Sequence, residues 1–153
     1  MNRLELLIPP PLIMLTTGVL MWVASMLFPG LAFPWLHNAA WGSAIALLGL
    51  AISLSGVATF KHARTTVDPR RPAEATTLIT SGIYRYSRNP MYLGVMLVLI
   101  GWALCLCNLL SALLIVGFVL YINRYQILPE ERLLQEKFGA DFIAYKGKVR
   151  RWI

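Results

Sequence analysis

The sequence predicts an all-α integral membrane protein with four transmembrane helices and an amphipathic cytoplasmic helix at the C-terminus. Composition is the first observation: of 153 residues, 58% are hydrophobic and 14% are charged, with a mean hydropathy of +0.63. Soluble domains carry about 25% charged residues. Charge placement is the second observation, because no charged residue lies between Leu6 and Phe60 or between Asn89 and Asn123.

The two charge-free runs are too long for single crossings. They contain 55 and 35 residues. One crossing needs about 20 residues, and a 35-residue helix would be about 52 Å long. Each run therefore folds back as a helical hairpin, within a single membrane domain that covers residues 1–153. The predicted crossings are residues 9–28, 38–60, 90–107 and 109–128, and the predicted cytoplasmic segments are 61–89 and 129–153.

The first crossing begins at a cluster of prolines, Pro9 to Pro11, and ends at Pro29-Gly30. Prolines are tolerated at a helix start, because the amide groups there lack intrahelical partners. No small-x-small cleavage site follows the apolar stretch, so we expect a retained anchor and not a signal peptide.

The second crossing carries small residues on one narrow face, at alternating steps of four and three. In lipid, such a face lets a neighbouring helix backbone approach closely. We interpret it as a packing surface, either for another crossing or for a second copy of the chain, so the oligomeric state stays open. The residues are Gly42, Ala46, Gly49, Ser53 and Gly56.

The second charge-free run divides at Asn108 into a third and a fourth crossing. Beyond them, the C-terminal helix is expected to begin at Pro129, with Glu130 and Glu131 complementing the helix dipole. Its apolar residues recur at spacings of four, four and three, which is typical of an amphipathic helix, and Gly139 is a possible break. These apolar residues are Leu134, Phe138, Phe142 and Tyr145.

The basic residues predict the orientation. The two connections within the hairpins carry no Lys or Arg, whereas the two charged blocks carry six and seven. By the positive-inside rule, both blocks and both termini face the cytoplasm of a multi-pass protein, for which we expect the bacterial inner membrane. The net charge of +7 divides as +4 and +3 between the blocks. Contact with anionic membrane lipids explains this charge, and no nucleic-acid partner is expected.

The start of the third crossing is the first candidate site. Asn89 suits the N-cap, Pro90 suits the first helical position, and Arg88 lies directly before them. A helix N-terminus beside a guanidinium suits a carboxylate or a phosphate. Arg88 could instead extend to lipid headgroups, with Tyr84 and Tyr92 as interfacial aromatic residues. The residue types leave both interpretations open.

These residues belong to a motif that resembles the superfamily of isoprenylcysteine carboxyl methyltransferases and phospholipid methyltransferases. The family pattern Gly-x-Tyr-x-x-x-Arg-His-Pro-x-Tyr-x-Gly is matched by Gly82, Tyr84, Arg88, Pro90, Tyr92 and Gly94, with Asn89 in place of the histidine. A second family motif is matched by Glu130-Glu131, Phe138-Gly139, Phe142, Tyr145 and Arg150-Arg151-Trp152. The resemblance extends roughly from Thr65 to Ile153.

The resemblance implies an S-adenosylmethionine-dependent membrane methyltransferase. The cofactor would bind at the cytoplasmic ends of the last two crossings, beneath the C-terminal segment, and a lipophilic or lipidated substrate would enter from the bilayer. The implied cofactor-binding residues are Tyr84, Arg88, Asn89, Pro90, Tyr92, Glu130, Glu131 and Tyr145.

The chemistry of the side chains suggests roles within this set. Arg88 suits the cofactor's carboxylate, and Glu130 or Glu131 can accept from its ammonium or ribose. The candidate catalytic residues are Arg150 or Arg151, to hold a substrate carboxylate, and Glu131, as a base; Arg124 is a candidate for orienting the substrate.

Two other kinds of site are not expected. His37 and His62 lie on opposite sides of the membrane in this topology, so no metal site is predicted. The chain contains no Gly-x-Gly sequence, which excludes a dinucleotide-type cofactor fold.

Three functions are consistent with these residues. Carboxyl O-methylation of a lipophilic acceptor leads, because a carboxylate needs alignment and no base. N-methylation of a phospholipid amine requires a base, for which Glu131 is the candidate. The third is a non-enzymatic membrane scaffold or lipid-binding protein, which has no reason to bind S-adenosylmethionine.

The topology gives the first testable prediction. A cysteine introduced near Asp68 should resist a membrane-impermeant thiol reagent added from outside, because the block that contains Asp68 is cytoplasmic. A cysteine near Leu31, in a connection on the outer side, is the matched control and should react. Labelling near Asp68 from outside would contradict the orientation.

Overall fold

The computed structural model describes residues 5–34, 37–62 and 77–153. Within these ranges the chain is helical apart from short connections and a single bridge between Ala32 and Asn108. The helices are α1 (Pro10–Leu27), α2 (Ala39–His62), α3 (Pro90–Leu106), α4 (Leu109–Ile122) and α5 (Leu128–Lys148). Short 3-10 helices cover Pro29–Leu31 and Gly82–Arg85, and a π-helical turn covers Asn123–Ile127.

Three to four of these helices are apolar enough to span a membrane. By length, α1 has 18 residues, α2 has 24, and the continuous helical run Leu109–Lys148 has 40. The fourth apolar helix, α3, has 17 residues. The all-α membrane architecture is therefore confirmed, and α1, α2 and α3 agree with their predicted bounds to within two residues.

The two ends of the helical bundle differ in character. At one end, the Phe33 amide donates to the Cys107 carbonyl over 2.9 Å, and the Asn108 side chain donates to the Phe28 carbonyl over 2.9 Å. At the other end, the Arg88 amide donates to the Arg150 carbonyl over 3.0 Å. The described parts of both charged blocks thus meet at one end. Asp68 lies outside the described residues.

The predicted small-residue face of α2 packs against α3. A Cβ added at Gly49 would lie 2.5 Å from the Gly94 carbonyl oxygen, so the two backbones are in direct contact. The Ser53 hydroxyl donates to the Met91 carbonyl over 2.9 Å. The packing interpretation is confirmed, and the partner of this face is a helix of the same chain.

The sequence predicted that the C-terminal helix begins at Pro129, but no new helix begins there. The helical run from α4 continues through the π turn, where the Leu128 amide donates to the Asn123 carbonyl. Pro129 has no amide hydrogen to offer the Tyr125 carbonyl, and the Leu6 amide donates to it instead over 3.0 Å. Because no free helix N-terminus exists here, Glu130 and Glu131 do not complement a helix dipole.

The predicted break at Gly139 is confirmed. Its φ of 51° and ψ of −121° are non-helical and lie inside α5. A left-handed φ is accessible to glycine at little cost, so the helix can change direction here. Beyond the break, Phe142 and Tyr145 are buried against the bundle.

The contact between α2 and α3 gives a second prediction. Gly49→Leu should lower the melting temperature in detergent, because its side chain would overlap the Gly94 carbonyl and Leu97, and overpacking typically costs about 1–3 kcal/mol. Gly117→Leu is the matched control, since a Cβ there meets no atom within 4 Å. Equal melting temperatures for Gly49→Leu and the parent would refute the close contact.

Candidate functional site

A cavity lies at the charged end of the bundle, between the end of α2, the start of α3, α5 and the 3-10 helix Gly82–Arg85. Its volume is about 90 Å³, and we call it the site cavity. Aromatic and ionisable side chains dominate its wall. The lining residues are Phe60, Thr77, Leu78, Ile79, Tyr84, Arg88, Asn89, Met91, Tyr92, Glu130, Glu131, Leu134, Phe142 and Tyr145.

Tyr84 enters the site cavity from the 3-10 helix. That helix starts at Gly82, whose φ of +61° favours glycine. The Tyr84 ring packs edge-on against Phe60, with ring centroids 5.4 Å apart. Its buried hydroxyl has no hydrogen-bond partner among the described residues. Burial raises the pKa of Tyr84, so the phenol remains protonated and can donate.

Arg88 is buried and bound to the C-terminal part of the chain. Its side chain is 9% exposed, which excludes the interpretation that it extends to lipid headgroups. One terminal nitrogen donates to the Val149 carbonyl over 2.6 Å, and the other donates to Glu131 over 2.8 Å. Its Nε is buried without a partner in the described part of the chain. The Val149-bound nitrogen also donates to the Lys146 carbonyl over 3.1 Å, so Nε is a buried donor of Arg88 that is available for a further bond.

Glu131 lies between two guanidinium groups. Besides the bond from Arg88, Oε2 accepts from the Arg151 terminal nitrogen over 2.8 Å. Burial by itself would raise the pKa of Glu131, but the hydrogen bonds and charges of Arg151 and Arg88 outweigh it and lower the pKa. Glu131 is thus held as a carboxylate, and such a group is a weak base.

Glu130 has a different environment from its neighbour. The Tyr92 hydroxyl donates a short hydrogen bond to its carboxylate. Burial raises the pKa of Glu130 to about 8, and the charge of Glu131 also raises it, while the bond from Tyr92 opposes the shift. Glu130 is therefore a carboxyl group that can change protonation state near neutral pH.

Asn89 occupies the predicted N-cap position of α3, but its side chain does not cap the helix. Its side-chain amide nitrogen donates instead to the Arg151 carbonyl over 3.0 Å, so the expected capping role is wrong. Pro90 starts α3 as predicted and is fully buried, yet it is not part of the cavity wall. Tyr145 lines the cavity, and its hydroxyl donates to the Tyr84 carbonyl over 2.7 Å.

The three arginines that were predicted to act on the substrate lie outside the wall of the site cavity; they are Arg124, Arg150 and Arg151. Arg151 is bound to Glu131. Arg150 is exposed, and its backbone carbonyl accepts from the Arg88 amide. Arg124 lines a separate polar concavity and pairs with Glu5 over 3.3 Å. Glu131 also lines this concavity, so Arg124 lies near one predicted site residue, although it is not part of the wall of the site cavity.

The chemistry of the wall fits S-adenosylmethionine, although the closed volume does not. The buried Tyr84 hydroxyl can donate, Glu130 can accept from an ammonium or ribose hydroxyl, and aromatic rings are available to pack on an adenine. Ligand pockets usually measure about 300–1,000 Å³. The elements around a cavity of about 90 Å³ must therefore separate to admit a nucleoside.

Several wall residues were not assigned to the site from the sequence. Phe60 ends the predicted second crossing, and Thr77, Leu78 and Ile79 belong to a segment without a motif. Leu134 and Phe142 had been assigned to the apolar face of the C-terminal helix. Both side chains line the cavity, with Phe142 buried and Leu134 partly buried, and their spacing on α5 gave no sign that they close a cavity.

Comparison with known proteins agrees with the family resemblance of the two motifs. A profile of the family described as "Phospholipid methyltransferase" matches residues 37–141. An "Uncharacterized protein" of Haemophilus influenzae is 48% identical over 63 residues, which are 41% of this chain and 100% of that protein. Protein-S-isoprenylcysteine O-methyltransferase B of Arabidopsis thaliana is 29% identical over 137 residues, which are 86% of this chain and 67% of that protein.

The Protein-S-isoprenylcysteine O-methyltransferase of Saccharomyces cerevisiae is 31% identical over 108 residues, which are 71% of this chain and 45% of that protein. The chain thus spans from under half to about two thirds of the length of these two methyltransferases. The family profile covers well over half of the residues of this chain. The chain therefore belongs to the phospholipid methyltransferase family, in the superfamily of membrane methyltransferases that also contains the isoprenylcysteine enzymes.

Proposed function

We propose that the chain is an S-adenosylmethionine-dependent methyltransferase that methylates the carboxylate of a lipophilic or lipidated acceptor within the membrane. The observation that carries the proposal is the site cavity itself. It combines a buried carboxyl group, aromatic rings and a tyrosine hydroxyl that has no partner in the described part of the chain, at the end of an apolar helical bundle. Family membership and the isoprenylcysteine O-methyltransferase relatives support the same chemistry.

The proposed cofactor contacts use the groups that have bonding capacity left. When bound, S-adenosylmethionine would supply an electrophilic methyl group. Glu130 accepts from its ammonium or ribose hydroxyls, and Tyr92 holds Glu130 in place. Tyr84 donates through its hydroxyl, and Tyr145 packs beside the adenine. Arg88 contributes positive charge and its Nε donor, with its other nitrogens retained by Glu131 and the C-terminal carbonyls.

The acceptor is proposed to arrive with its oxygen already anionic. Such an oxygen needs alignment with the methyl group and no base, so orientation is the main task of the protein. Arg150 and Arg151 remain the proposed ligands of the acceptor carboxylate, since their backbone carbonyls accept hydrogen bonds from Arg88 and Asn89, two residues of the cavity wall. We do not retain Arg124 as a substrate ligand, because its partner is Glu5.

N-methylation of a phospholipid amine is the second candidate, and the environment of Glu130 favours it. An ammonium must lose a proton before it attacks. Glu131, the base expected from the sequence, is unsuitable because two guanidinium groups lower its pKa. Glu130, with a pKa of about 8, is the better proton acceptor in the site cavity.

The membrane arrangement that accompanies this function has four crossings. Three are α1, α2 and α3, and the fourth is α4 with the π turn. We propose that the charged end, including both termini and the amphipathic helix α5, faces the cytoplasm. The absence of basic residues from both hairpin connections supports this orientation. The bacterial inner membrane remains the proposed location, and a relative of the chain occurs in the bacterium Haemophilus influenzae.

Binding of S-adenosylhomocysteine provides the third prediction. Glu130→Ala and Arg88→Ala should each weaken it about 10- to 150-fold, since a charge-assisted hydrogen bond contributes about 1.5–3 kcal/mol. Glu131→Ala should weaken binding to a similar extent, because it removes the carboxylate that holds Arg88. Isothermal titration of the purified variants measures the loss, and Glu136→Ala, at an exposed position of α5, is the control.

Melting temperatures must accompany this titration, because removing one partner of a buried ion pair costs about 3–5 kcal/mol. That loss applies to Arg88→Ala and Glu131→Ala, so Glu130→Ala is the most direct test of binding. Affinities within about threefold of the parent for all three variants would place the ligand elsewhere. A parent protein that does not bind at micromolar concentration would support the scaffold instead.

A fourth prediction concerns pH. With a pKa of about 8, Glu130 is mostly protonated at pH 6.5 and mostly ionised at pH 9. Accepting from an ammonium requires the ionised form, so affinity for S-adenosylhomocysteine should rise with pH, by up to about tenfold per unit below pH 8, and then level off. Titrations at pH 6.5, 7.5 and 8.5 test this, and the rise should be absent in Glu130→Gln.

A further inference from the structure

Glu5 is a buried carboxylate at the charged end that the proposed chemistry does not use. Its side chain is 3% exposed. Oε1 accepts from Arg124 over 3.3 Å and Oε2 accepts from Arg132 over 3.1 Å, while both arginine side chains remain about half exposed. Arg124 belongs to the π turn and Arg132 to α5. One carboxylate therefore connects the two sides of the segment that carries Glu130 and Glu131.

Two further hydrogen bonds hold the same N-terminal segment against the π turn. The Leu6 amide donates to the Tyr125 carbonyl over 3.0 Å, and the Gln126 side chain donates to the Ile8 carbonyl over 2.9 Å. Leu6 has a φ of 57°, in the left-handed region that a branched side chain rarely adopts. This strained conformation persists because the contacts around it determine the path of the chain.

The π turn determines which way the following helix faces. It takes one residue more per turn than an α-helical turn, as the bond from Leu128 to Asn123 shows. Each residue of an α-helix turns by about 100°, so conversion to a regular α-helical turn would rotate α5 by about that angle relative to α4. Glu130 would then move away from Tyr92, and Glu131 from Arg88.

We propose that Glu5 is a positioning residue for the methyl-transfer site: by joining Arg124 to Arg132 it stabilises the π turn and keeps Glu130 and Glu131 on the wall of the site cavity. The inference rests on the proposed function, since it concerns the same cavity. Glu5 does not line that cavity, so it acts through α5 and not by contact with a ligand.

The test combines Glu5→Gln with Glu130→Gln and measures S-adenosylhomocysteine affinity by isothermal titration. Glu5→Gln keeps the size of the side chain and removes its charge. We expect it to weaken binding by about tenfold or more, because a displacement of about 1 Å in a site can cost about 100-fold. In the Glu130→Gln background it should have less effect, since the group that it positions is already lost.

Glu136→Gln is the matched control, as an exposed carboxylate on the same helix. If Glu5→Gln fails to fold, Arg132→Gln takes its place, because it removes a half-exposed partner of the same carboxylate. Unchanged affinity, or an equal loss in both backgrounds, would overturn the positioning role while the proposed function stands. A parent that does not bind the ligand would overturn the proposed function and the positioning role together.

Discussion

Three parts of the chain that are distant in sequence meet on the carboxylate of Glu131. Arg88, just before α3, and Arg151, in the C-terminal segment, both donate to it, and all three residues belong to one end of the bundle. Isolated charges are strongly disfavoured in such a buried place, so each partner requires the others. The path of the C-terminal segment follows from this interaction, because Val149 and Arg151 then lie where Arg88 and Asn89 can bond their carbonyls.

The pairing of α2 with α3 supplies the platform for this ion cluster. Their backbones meet without intervening side chains at Gly49 and Gly94, and Ser53 ties α2 to the first turn of α3. In lipid, where no hydrophobic effect drives helices together, such contact area and polar bonds provide the association. Phe60 at the end of α2 and Tyr92 at the start of α3 are thereby held on the same cavity.

The sequence was a good guide to the crossings and to the motif, for identifiable physical reasons. Long charge-free runs have few alternatives in a folded protein, so α1, α2 and α3 could be placed closely. The π turn at Asn123–Ile127 could not be predicted, because the bond that satisfies its Tyr125 carbonyl comes from Leu6, which is remote in sequence. Pro129 indicated an irregularity there, but a lone proline is equally compatible with a new helix start.

For the site as well, the sequence predicted which residues come together but not the partner of each side chain. The sequence brought Arg88, Glu130 and Glu131 into one hypothesis through their motif, yet it left open which of the two glutamates contacts the cofactor. The structure gives the two glutamates different partners: the Glu131 carboxylate is paired with two guanidinium groups, and Glu130 accepts from the Tyr92 hydroxyl. Side-chain partners of this kind depend on rotation about a helix axis, which residue types do not encode. The same reason explains why Asn89 could be placed at the N-cap while its bond to the Arg151 carbonyl was missed.

The missing amide hydrogen of Pro129 also bears on the order of assembly. The Tyr125 carbonyl receives its hydrogen bond from Leu6, and the neighbouring pair Glu5 and Arg124 is separated by 119 residues. Ribosomal synthesis delivers the N-terminal partner first and the C-terminal partner after all the intervening crossings have emerged. Until the two meet, an unsatisfied carbonyl remains beside the apolar phase, which is costly in lipid. Contact between the N-terminal segment and the π turn is therefore a late step in the biogenesis of this bundle, because α1 to α4 must all be synthesised before it can form.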